Sequence, residues 1–173
     1  MASRVEATRS FVRQKQEPTL LGTLRITPEP LPADGKANAA VTGEQVTARV
    51  TLIVPNELEY VMVEVPKPAG CEPLNPLSGY DATLREVTSA KDQVPSNSAA
   101  EGRSIYREEH DDQSVFFIDA LAAGDWEIVF SLRATTPGDF RALPAEASAM
   151  YVPEVRANSD AQRVRIERRD DGR

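Results

Sequence analysis

The sequence has 173 residues, 40 % of them hydrophobic, which is enough for one core. Its formal net charge of −7 argues against a phosphate backbone as partner, and thirteen prolines punctuate it too often for a helical bundle. No apolar run approaches the roughly 20 residues of a membrane span, so direct membrane insertion is not expected.

In chain order, two weak strands are expected near 4–13 and 20–27. A loop or flexible link follows over 28–44, opening with Pro28-Glu29-Pro30-Leu31-Pro32. Val46, Ala48, Val50 and Leu52 alternate with Thr47, Arg49 and Thr51, the period of a half-buried strand. After the turn cluster Pro55-Asn56-Glu57 comes a strand through Tyr60-Val61-Met62-Val63. Residues 66–103 read as a long irregular segment, with a short helix expected near 81–90 around Leu84 and Val87.

A strand at about 104–110 reaches the turn Asp111-Asp112. Val115-Phe116-Phe117-Ile118 is apolar on both faces, as in a central strand. After Ala123-Gly124-Asp125, Trp126, Ile128, Phe130 and Leu132 share one face of another strand. Near the end Val164 and Ile166 alternate with arginines, the solvated face of a last strand. About nine or ten short strands split by turn signals predict an all-β, antiparallel β-sandwich. Residues 1–45 supply opening strands and a loop, 46–168 the sandwich, and 169–173 a disordered tail.

Chemistry is sparse. The single histidine, His110, lies in Glu108-Glu109-His110-Asp111-Asp112. It could act as a base beside carboxylates, or simply end a strand at a charged turn. Neighbouring carboxylates favour its protonated form, a poor general base. The same cluster matches no EF-hand spacing, and neither a metal nor another cofactor is expected. The lone Cys71 excludes an internal disulfide. A thioester would need a glutamine three positions on; Leu74 stands there. Cys71 therefore reads as a small buried apolar group.

Met150-Tyr151 is awkward as core. Strand neighbours point to opposite faces, and Pro153 limits the ladder. Either a large side chain is exposed, the pair projects from a loop, or a bend tucks both under the sheet edge.

Four stretches, in order, resemble the last macroglobulin-like domain of bacterial alpha-2-macroglobulins. They are Tyr60-Val61-Met62-Val63-Glu64-Val65-Pro66 with Pro68-Ala69-Gly70-Cys71-Glu72-Pro73, and Tyr106 to Asp112 with Phe116-Phe117. Arg133 to Phe140 with Pro144-Ala145, and Met150-Tyr151-Val152-Pro153-Glu154-Val155-Arg156, complete the set. The resemblance covers roughly 60–166. It implies a macroglobulin-like sandwich, similar in place to a receptor-binding domain, inside a protease trap with a helical thioester domain. By that resemblance the loop at Met150 and Tyr151 shields the thioester, and the domain is not an enzyme. Its partners are the thioester domain, other macroglobulin-like domains and, indirectly, target proteases. The setting is the periplasm or cell envelope, although the opening residues carry no apolar signal segment. Such a chain either stays where it is made or is a piece of something larger. Cys71 and His110 depart from the residues usual in the family.

Two rivals remain. A carbohydrate-binding or adhesive β-sandwich module would need aromatic platforms, and aromatics are only 6 % of the sequence. An acid–base hydrolase would have to work through Glu109 and His110.

Overall fold

The structure, a computed structural model, describes residues 4–34, 39–87 and 102–170, apart from the side chains of residues 15 and 16. All regular structure among them is β. The strands are β1 (Glu6–Pro18), β2 (Leu24–Leu31), β3 (Ala40–Val41), β4 (Gln45–Val54), β5 (Leu58–Pro66), β6 (Cys71–Pro73) and β7 (Gly79–Glu86). They continue with β8 (Arg103–Glu109), β9 (Gln113–Leu121), β10 (Gly124–Ala134), β11 (Gly138–Ala142), β12 (Glu146–Ala149), β13 (Val152–Asn158) and β14 (Gln162–Glu167).

Eleven strands form one sheet, ordered β13-β12-β5-β9-β8-β7-β10-β4-β1-β2, with β6 also pairing β10. β13 lies at one end of this order, yet it touches β1 near the other end. The sheet therefore curls on itself, and its inward positions share one core. Val46, Ala48, Val50 and Leu52 of β4, their neighbours Ile128, Phe130 and Leu132 on β10, and Val61, Val63 and Val65 of β5 share that core. Burying each larger side chain contributes about 1.5–3 kcal/mol. β9 lies between β5 and β8, and its Val115, Phe116 and Ile118 are all buried. The second sheet, β11-β14-β3, adds Ala40, Ala142, Val164 and Ile166 to the same core.

Several expectations are corrected. The loop expected over 28–44 begins later, because Pro28 to Leu31 belong to β2 and pair with β1. β2 is an edge strand, and its prolines are two residues apart. Both ring nitrogens can therefore face the free edge, where no ladder donor is needed. The segment 66–103 is also more regular than expected, since β6 and β7 lie within it. The helix near 81–90 is absent over its described part. Ala82 and Leu84 are buried while Asp81 and Thr83 are exposed, which is the period of a strand. The Leu84/Val87 spacing mimicked a helical turn. Residues 88–90 lie outside the described residues. The tail expected over 169–173 is not decided: the backbone N–H of residue 169 donates to Thr42 Oγ1 at 3.0 Å, and 171–173 lie outside the described residues.

Arg9 and Gly70 are among the residues that join the sheets. Arg9 of β1 is buried and donates to the carbonyls of Pro66 (3.2 Å), Leu143 (2.6 Å) and Ala142 (3.1 Å). Burial pushes its pKa down to about 10, still charged at neutral pH. At Gly70 a Cβ would lie 2.2 Å from Phe140 Cε2 and 2.8 Å from Ile166 Cδ1. Only glycine permits that approach.

Candidate functional site: an outward turn at the sheet edge

Ala149 pairs with Val152, so β12 and β13 are joined by a two-residue turn, Met150-Tyr151. Both side chains stand out: Tyr151 is 75 % exposed, Met150 47 % and the adjoining Val152 49 %. The sequence left open a bend that tucks them under the sheet edge. The exposure of both side chains shows that this bend is not adopted. The register between β12 and β13 shifts after Ser148, and Pro153 sits in this irregular stretch of an end strand. That is where a strand tolerates a missing donor.

The turn leans on β5. Met150 N–H donates to the carbonyl of Tyr60 at 2.9 Å, adding one rung beyond Ala149–Val61. The rings of Tyr60 and Tyr151 meet edge to face, with centroids 5.2 Å apart and planes at 88°. Tyr60 is the one non-glycine residue with positive φ among the described residues, at 52°. Such a conformation costs an ordinary residue on the order of 1 kcal/mol. It breaks the alternation of β5, so that Leu58 and Val61, three positions apart, both pack on the core, while Tyr60 turns outward.

The charged cluster at 108–112 divides. His110 is exposed, and its Nε2 lies 3.9 Å from Glu108 Oε1. Glu109 points the other way, into a buried network. It accepts from Lys67 Nζ (2.5 Å), Arg107 Nη1 (2.9 Å) and Ser114 Oγ (2.8 Å). Arg107 also holds Asp81 with two bonds of 2.9 and 2.7 Å, and donates to the Asn75 carbonyl at 2.7 Å. Two cations thus balance two carboxylates. His110 and Glu109 do not form an acid–base pair, and no group of three or more potential ligands is arranged for a metal among the described residues. Sequence reasoning missed this network. Its signal was Ile105, Arg107 and Glu109 on one strand face.

Cys71 is buried in β6, and burial, with the nearby Glu72 charge, pushes its thiol up to about 12. It stays protonated and inert at neutral pH. On another surface, Tyr80, Tyr106 and Phe117 form a short aromatic row with centroids 5.3 and 6.2 Å apart. The planes are tilted by 61° and 36°, so the rings present no flat platform.

Solved structures share this fold. Native alpha-2-macroglobulin of Escherichia coli, from domain MG7 to the C-terminus, matches 95 % of the chain at 20 % identity and a TM-score of 0.56. Salmonella alpha-2-macroglobulin reacted with methylamine matches 96 % at 18 % identity and a TM-score of 0.61. The Escherichia coli protein activated by porcine elastase matches 96 % at 16 % identity and a TM-score of 0.63. The chain spans only 24 %, 9 % and 13 % of those structures. No curated protein matches it. The family model for the bacterial alpha-2-macroglobulin MG10 domain matches residues 6–154, most of the chain, and the chain therefore belongs to that family.

Proposed function

We propose that this domain is a non-catalytic shield in an alpha-2-macroglobulin-like protease trap of the bacterial periplasm or cell envelope. Met150 and Tyr151 cover the thioester of a neighbouring helical domain. The observation that carries this reading is the outward turn: two consecutive large side chains, both exposed, on a two-residue turn. A thioester survives by exclusion of water and amines. A thioether and an aromatic ring exclude both, and the strongest nucleophile they bring is a phenol. Movement of the domain would uncover the bond. The other macroglobulin-like domains are partners in the same trap, and target proteases are met indirectly.

In a trap carrying this domain, Met150→Ala with Tyr151→Ala is expected to change folding stability by about 1 kcal/mol or less, because both groups are exposed. The same change raises the rate at which methylamine releases the thioester thiol, read with a thiol reagent. An unchanged release rate removes the assignment.

Among the described residues, the aromatic row at Tyr80 and Tyr106 suits a carbohydrate-binding module, although its rings are tilted. Reproducible glycan-array binding lost in Tyr80→Ala would favour that reading instead.

A further inference from the structure

We infer that Tyr60 is the positioning residue of the Met150–Tyr151 turn, using its left-handed backbone to hold Met150 and its ring to hold Tyr151; the functional meaning of this rests on the shielding reading. Three observations converge on it. The φ of 52° occurs in mid-strand on a bulky residue, where strain persists only if the surroundings over-determine it. The ladder of β5 with β9 runs from Glu59–Ala120 to Val61–Ile118 without a Tyr60–Asp119 rung. The Tyr60 carbonyl instead accepts from Met150 N–H at 2.9 Å. The ring, 48 % exposed, meets Tyr151 edge to face.

The consequence is pre-organisation. A two-residue turn with exposed side chains has many rotamers available, and a covering group must hold one of them before its partner docks. The Met150 bond fixes the base of the turn. The Tyr60 ring restricts Tyr151, whose own ring has little else beside it. Because Tyr60 is itself half exposed, its ring adjoins whatever surface Tyr151 covers.

Hydrogen exchange and tyrosine-ring NMR on the 173-residue chain test this. Tyr60→Phe keeps the ring and reproduces the wild type. Tyr60→Asn accepts a positive φ but has no ring. There the Met150 amide stays protected while the Tyr151 ring protons move to unstructured shifts. Tyr60→Val, β-branched, resists a left-handed φ. In it Met150 exchange rises about tenfold or more against the core amides of Val50 and Ile128. Unmoved Tyr151 resonances in Tyr60→Asn, or unmoved Met150 protection in a folded Tyr60→Val, overturn the inference. If the valine variant does not fold, the asparagine variant alone decides.

In a trap carrying the domain, Tyr60→Asn raises methylamine-driven thiol release and adds nothing to Tyr151→Ala. Release raised by Tyr151→Ala but not by Tyr60→Asn contradicts the positioning role. If Tyr151→Ala itself has no effect, the shield falls, while the ring and amide readings still decide whether Tyr60 positions the turn.

Discussion

Arg107 shows how a charge can be retained inside a small sandwich. Its side chain is 2 % exposed, yet it makes bonds to Asp81, Glu109 and the Asn75 carbonyl. Lys67 completes the neutrality from the end of β5. A network of this kind gives modest net stability, because desolvation offsets most of the attraction. Breaking it is different, since a truncation strips buried groups of partners. Arg107→Leu leaves Glu109 with Lys67 and Ser114 and Asp81 near solvent, and is expected to cost about 1–3 kcal/mol, read as a lower midpoint in urea unfolding. A loss of under about 1 kcal/mol would mean that water reaches Glu109 in the folded state. Glu109 also explains why the sequence could not assign the 108–112 cluster. Composition places carboxylates near His110, but strand alternation sends Glu108 and Glu109 to opposite faces.

Strand alternation was the legible part at the level of elements. β4, β9 and β10 follow directly from Val46 to Leu52, Val115 to Ile118 and Trp126 to Leu132, because half-buried strands must alternate and central ones need not. β2 was cut short because its prolines look like loop residues until the strand is known to be an edge. β7 was misread because Leu84 and Val87 fit a helical spacing, whereas the buried partner of Leu84 is Ala82, a residue too small to mark a strand by itself. Pairing order lay beyond the sequence altogether, because it depends on contacts between segments far apart in the chain. The turn at Pro68-Ala69-Gly70 is another such contact, since it is defined by Phe140 and Ile166 in the second sheet. Gly70→Ala is expected to destabilise the chain by about 1–3 kcal/mol through overpacking. A shift in thermal midpoint measures this, and Phe140→Leu in the same chain should recover part of the loss. No loss in the single variant would show that β11 and β14 give way easily.

For the molecule as a whole, alternation showed only that Met150 and Tyr151 could not share one core as strand neighbours. It left an exposed side chain, a projecting loop and a tucking bend open, and the structure exposes both residues. What the sequence could not supply was Tyr60, ninety residues earlier, whose left-handed backbone is visible only in three dimensions. The start of β5, the end of β12 and the start of β13 meet at one rim of the curled sheet, the surface that the proposed shield would use. Peroxide oxidation of Met150, followed by mass spectrometry with half-buried Met62 as internal reference, tests this directly. Met150 is expected to oxidise rapidly in the 173-residue chain, about tenfold more slowly in the native trap, and at the fast rate again once methylamine has opened it. Equal Met150 rates in the chain and in the native trap would mean that nothing covers the turn, and the shield would be refuted.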